Sequence, residues 1–110
     1  MDGLELDPAV LQRRLRHLAN AVSRLERFRD IPLEQLEADD GTDWAVLHGL
    51  QICIQAVLDI SAHVLASTGA TVPDQYRTGI LMLGKLRVLP EEFAGRIAAM
   101  AGFRNILVHD

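Results

Sequence analysis

Apolar residues recur at spacings of four and three near the start of the chain: Leu11, Leu15, Leu18, Val22 and Leu25, with Phe28 extending the row. That period places them on one face of an α-helix of about five to six turns and leaves most of the local arginines on the other. Asp7-Pro8 supplies the start, a capping carboxylate followed by a ring whose φ already suits the first turn. Pro32 ends the row. Residues 31–43 then read as a connector with a short helical turn around Leu33 to Leu36, broken at Asp40-Gly41.

Thr42 or Asp43 is the expected cap of a second helix that runs to about Ser67, where Gly69 stops it. Leu47, Leu50, Ile54, Val57, Leu58, Val64 and Leu65 cover one broad side, and Ile52, Cys53 and Ile60 spread apolar surface past it. A helix apolar on more than one side in so short a chain is expected to meet a second copy as well as its own core. Its remaining strip is polar: His48, Gln51, Gln55, Asp59 and His63, with Asp59 and His63 spaced to touch. After the loop 69–74, fixed at its exit by Val72-Pro73, a third helix is predicted over Gln75 to Arg87, with Ile80, Leu81, Leu83 and Leu86 inward and Gly79 and Gly84 weakening it. Leu89-Pro90-Glu91-Glu92 opens the fourth, with acids on the positive end of its dipole. Its stripe is expected at Phe93, Ile97, Met100 and Leu107, with Ala101 beside it. The fold class is therefore all-α, an antiparallel four-helix bundle forming a single domain over residues 1–110 and dimerising through its helices.

Composition narrows this further. At 110 residues, 49% of them hydrophobic and 24% charged, the chain has room for one core, built mostly from aliphatic side chains. The apolar region from Val46 to Ala66 is interrupted by the polar strip and is expected to be a poor membrane span, with no secretory segment before it. The lone Cys53 reads as a packing residue in a reducing cytoplasm. A net charge of −4 argues against a generic nucleic-acid binder, yet six arginines (Arg13, Arg14, Arg16, Arg24, Arg27, Arg29) crowd the first thirty residues. Seven acids and no cation occupy 31–76, and the other five cations follow. A basic first helix beside a basic last one would make a local positive cleft; ion pairs between helices would use the same arginines otherwise.

The chemistry concentrates at the end. Arg104 falls inside the apolar stripe of the last helix, where an unpaired guanidinium costs several kcal/mol, about the margin of a small domain. Asn105 and His109, four apart, share the adjoining face. An arginine to hold a phosphate, a histidine to move protons and an amide to orient either make a phosphodiester site. Asp59, on the polar strip of the second helix, is the expected carboxylate for the arginine. The alternative for the same residues is structural, an arginine that snorkels its head to solvent and a histidine resting on the negative end of a helix dipole. No metal or cofactor motif is visible. His17, His48, His63 and His109 lack zinc spacing, Asp39-Asp40-Gly41 stands too isolated for a calcium loop, and Gly84-Lys85 lacks the rest of a phosphate loop.

Arg104-Asn105-x-x-x-His109 resembles the R-x(4)-H signature of the HEPN superfamily, and Ala101-Gly102-Phe103-Arg104-Asn105-Ile106-Leu107-Val108-His109-Asp110 is similar to its HepT-like branch. The resemblance covers nearly the whole chain. It implies a ribonuclease toxin, a homodimer whose two motifs meet in one cleft, RNA as substrate, and a MntA-like minimal nucleotidyltransferase antitoxin as partner. It assigns catalysis to Arg104, His109 and Asn105, without metal, because RNA carries its own nucleophile in the 2′-hydroxyl. Relatives are AMPylated on a tyrosine two residues after the histidine; this sequence ends at Asp110, one residue short, without the family's C-terminal helix, and its one tyrosine, Tyr76, does not match that position. Two functions follow: an RNA-cleaving toxin, or a non-catalytic helical partner of a nucleotidyltransferase in which the same residues hold a dimer or a nucleotide.

Overall fold

Helix α1 (Pro8–Glu26) starts where the Asp7 carboxylate accepts from the Ala9 amide at 2.9 Å and Pro8 takes the first turn. This computed structural model describes the backbone of residues 7–109 and the side chains of 7–104. Helix α2 (Leu33–Ala38) fills the connector after Pro32, and α3 (Asp40–Ser67) follows at once. The cap of α3 is Asp39, upstream of the expected Thr42 or Asp43: its extended backbone lets the carboxylate accept from the Thr42 amide at 3.1 Å. That amide first, and the Thr42 hydroxyl second, hold the Asp39 carboxyl below its ordinary value. Gly41 lies inside the first turn and does not break it.

Helix α4 (Tyr76–Lys85) is shorter than the predicted 75–87 because Arg87 turns left-handed, with φ of 61°. The Val88 amide then bonds the Leu83 carbonyl and the Arg87 amide bonds that of Gly84, which closes the helix in the manner glycine usually allows. Helix α5 (Glu91–His109) begins after Pro90. All regular structure among the described residues is helical. The bundle is α1, α3, α4 and α5, with α2 as a fifth, short element on the connector.

Helix α3 is the centre, packed against each of the other four. Its Ile54 and Leu58 join Ile80 of α4 and Ala94, Ile97 and Ala98 of α5 in one core, and Leu58 is fully enclosed. Cys53 is buried, and that burial pushes its thiol pKa up, so it packs as expected. Thiol titration should find Cys53 unreactive in the native protein and fully reactive in denaturant; equal rates in both states would contradict its burial. By length and composition α3 does qualify as a membrane span, with a mean hydropathy of 1.5 over its most apolar stretch. The polar strip lowers that mean less than expected, because Asp59 is the one charged side chain between Val46 and Ala66 and aliphatic residues outweigh the rest; the core helix of a bundle meets the same measure.

The inward face of α5 keeps Ile97 and Ala101 of the expected stripe and differs at Phe93 and Met100, while the Leu107 side chain lies outside the described residues. Ala94, Ile97 and Ala98 are buried and Ala101 half-buried, whereas Phe93, Met100 and Phe103 are 37–45% exposed. Small residues win that face because α4 and α5 lie so close that a Cβ on Gly84 would stand 2.9 Å from the Ala94 Cβ. Gly84 is therefore a contact point and not merely a weak spot in a helix. Gly84→Ala should lower stability by about 1–2 kcal/mol in urea unfolding, overpacking outweighing the gain in helix propensity; a more stable variant would contradict this packing.

Among the described residues helix α1 packs on α3 alone, so its row is covered incompletely there. Leu11, Leu18, Leu25 and Phe28 are half-buried, while Leu15 and Val22 remain exposed. The two helices lie close at Gly49, where a Cβ would meet Leu25 Cδ2 at 2.7 Å. A groove runs along the seam of the two helices.

Candidate active site

Arg104 stands on α5 in register with the buried row, one step beyond Ala94, Ile97 and Ala101, so its side chain leaves the helix on the side that faces α3. It is half-buried, and its Nε donates to Gln55 Oε1 at 3.0 Å. With its oxygen turned to the arginine, the Gln55 amide points its nitrogen the other way. That nitrogen donates to Asp59 Oδ1 at 2.9 Å and to the Tyr76 hydroxyl at 3.3 Å. The Tyr76 hydroxyl lies 3.4 Å from the same Asp59 oxygen and donates to it. Three helices thus meet in one polar network, Arg104 from α5, Gln55 and Asp59 from α3 and Tyr76 from the start of α4.

The physical sense of this network is orientation. A carboxylate hydrogen-bonded to an amide polarises it and strengthens the amide oxygen as an acceptor for the guanidinium. Asp59 was expected to face Arg104 as its carboxylate; it belongs to the same network, one hydrogen bond further along through Gln55. It engages Gln55 and Tyr76 and makes no bond to His63, whose Nε2 is buried with no hydrogen-bond partner among the described residues. A guanidinium is planar and offers several N–H donors in a fixed fork, which suits a group that binds a tetrahedral oxyanion.

The side chains of Asn105 and His109, and residue Asp110, lie outside the described residues. The α5 backbone continues helical through His109, so Asn105 and His109 occupy successive turns of one face just past Arg104. Gln55 and Tyr76 were missed as site residues. Gln55 stood in the polar strip, four residues before Asp59, and nothing in the sequence distinguished it from Gln51. The positive cleft also forms differently from the expectation. Among the described residues the basic helix α1 does not pack on α5; each packs on α3, whose Gln55 and Asp59 line one end of the α1–α3 groove. Among the described residues no group of three His, Cys, Asp or Glu side chains converges to hold a metal ion.

Comparison with known proteins bears on the same motif. A family profile described as Ribonuclease HepT-like matches residues 18–110. A tRNA nuclease HepT of Aphanizomenon flos-aquae is 28% identical over 105 residues, 96% of this chain and 71% of the relative. An mRNA nuclease HepT of Shewanella oneidensis is 28% identical over 76 residues, 69% of this chain and 57% of the relative. A putative RNase of Archaeoglobus fulgidus is 32% identical over 97 residues, 88% of this chain and 71% of the relative. With an all-helical fold and an arginine held at the head of the R-x(4)-H stretch, the chain belongs to the HepT-like ribonuclease family of the HEPN superfamily.

Proposed function

We propose that the protein is the toxin of a toxin–antitoxin module, an endoribonuclease that cleaves RNA in the cytoplasm without a metal ion and is restrained by a MntA-like minimal nucleotidyltransferase antitoxin. The observation that carries the reading is Arg104, a half-buried guanidinium on the core-facing side of α5, oriented by Gln55 and five residues before His109. Relatives named as nucleases of tRNA and of mRNA support RNA as the substrate class.

The reaction needs little machinery. His109 as general base takes the proton of a ribose 2′-hydroxyl, whose oxygen attacks the adjacent phosphorus. Negative charge grows on the pentacoordinate phosphate, and Arg104 faces it with fixed N–H donors. The bond from phosphorus to the 5′-oxygen breaks and that oxygen takes a proton, which leaves a 2′,3′-cyclic phosphate on one fragment and a 5′-hydroxyl on the other. Asn105 orients the phosphate or the imidazole. In a homodimer the two motifs share one cleft, so one histidine serves as base and the other as acid. An uncovered apolar row on α5 supports such pairing: Phe93, Met100 and Phe103 lie outward next to the motif, with Arg96 5.7 Å from the Phe93 ring.

The test is RNA cleavage in the presence of a chelator, with mass spectrometry of the new ends, by the wild type and by His109→Ala. Cyclic phosphate ends that form at least about 10²-fold more slowly with His109→Ala support the reading. Intact RNA with every folded protein overturns it and leaves the helical partner of a nucleotidyltransferase, and cleavage that needs added metal overturns the metal-free mechanism.

A further inference from the structure

We infer that the groove between α1 and α3 is the track for the single RNA strand that flanks the scissile phosphate, held by the arginines of α1 through its phosphates. The inference rests on the reading of Arg104 as the clamp on that phosphate and extends the site away from it along a second helix pair.

The groove has two connected parts. One, of about 630 Å³, runs between Arg13, Arg14 and His17 on the α1 side and Ile52, Gln55 and Asp59 on α3. The other, of about 320 Å³, continues from His17 and Ile52 past Arg24 and Arg27 towards His48. His17 and Ile52 line both, so the groove is continuous along α1. Gln55 lines its inner end and is also the residue that accepts from Arg104. A chain whose phosphate sits on Arg104 therefore has a direct way into the groove.

Charge and shape agree on the occupant. Among the described residues, Arg13, Arg14, Arg24 and Arg27 set four guanidinium groups along the groove against one carboxylate, that of Asp59, which is already engaged by Gln55 and Tyr76. This holds in a protein with a net charge of −4, so the positive rim is local and is not a reflection of overall composition. The floor is apolar where Val10, Ile52 and Ala56 line it, a surface on which a base or ribose can lie while its phosphate faces the rim. Helices packed roughly 8–10 Å apart leave a furrow for one extended strand and not for a duplex. Arginine contacts to phosphates carry no base information, so the groove confers affinity and direction and leaves sequence choice to other parts of the complex.

The experiment measures binding of a fully 2′-O-methylated RNA oligonucleotide, which has no nucleophile and cannot be cleaved, by fluorescence anisotropy across a salt series. Arg13→Gln with Arg14→Gln is compared with wild type, with the charge-preserving Arg13→Lys/Arg14→Lys pair, and with Arg16→Gln on the same helix outside the groove. The glutamine pair should weaken binding about 10–100-fold at low salt and reduce the slope of log K against log salt by about 1.4, two single-strand phosphate contacts. The lysine pair should restore most of both, and Arg16→Gln should stay within about twofold. With cleavable RNA the glutamine pair should raise KM and hold kcat within about threefold. Equal affinity and slope in all folded variants would overturn the inference, as would absence of binding by the wild type. A changed native mass with unchanged RNA affinity would also overturn it and assign the groove to a second copy of the chain. Because binding is read on RNA that cannot react, failure of the groove and failure of His109 as catalyst show up in different measurements.

Discussion

His109→Ala is expected to lower kcat for RNA cleavage by about 10²–10⁴, with the circular dichroism spectrum and the native mass unchanged. That factor is what a positioned proton carrier contributes, about 3–5 kcal/mol of barrier. Among the described residues the core of α5 is made by Ala94, Ile97 and Ala98, before the last turn. An unchanged spectrum and mass beside the lost cleavage would mark the imidazole's part as chemical. Mass spectrometry of residual products should still find cyclic phosphate ends, because Arg104 continues to stabilise the phosphate and water replaces the base poorly. A variant that cleaves at the wild-type rate would remove His109 from the mechanism, and one that loses its dimer would return it to a structural part.

Much of this architecture follows from local rules that act over three or four residues. Asp7-Pro8 and Pro90-Glu91-Glu92 start helices because caps, rings and dipoles operate within one turn, and the structure starts helices there. The four long helices were legible for the same reason. Where two local signals competed the choice was not legible. Asp39, Thr42 and Asp43 are all good caps, and only the extended backbone at Asp39 decides among them. The last helix carried two apolar rows, one bulky and one small. Periodicity favours the bulky row, but the close approach at Gly84 selects the small one and turns Phe93, Met100 and Phe103 outward. Arg104 stood out because a guanidinium within an apolar stretch has few explanations. Gln55 and Tyr76 did not, since their roles come from contacts 49 and 21 residues away along the chain, and a neutral amide leaves no mark in charge or period.

Arg104→Met should separate the functional from the structural meaning of that arginine, because the two meanings predict effects of opposite size on stability and cleavage. If the guanidinium existed to bridge α5 to α3, removing it would cost several kcal/mol, as breaking a buried charged contact does. Its setting argues otherwise. Arg104 and Gln55 are both only half-buried, and Gln55 keeps its bonds to Asp59 and Tyr76 when the arginine is gone. Methionine retains the packing of the stem, and water can reach the freed Gln55 oxygen. Stability in urea should then change by about 1 kcal/mol or less, whereas cleavage should fall by about 10²–10³, the effect of losing a principal donor to a developing oxyanion. Arg104→Lys keeps the charge but has no second set of N–H groups. It cannot bond Gln55 and offer a planar fork to the phosphate at once, so cleavage should recover only in part and remain about tenfold or more below wild type. Cleavage by Arg104→Met near the wild-type rate would sink the assignment, and so would a loss of 3 kcal/mol or more in its folding stability.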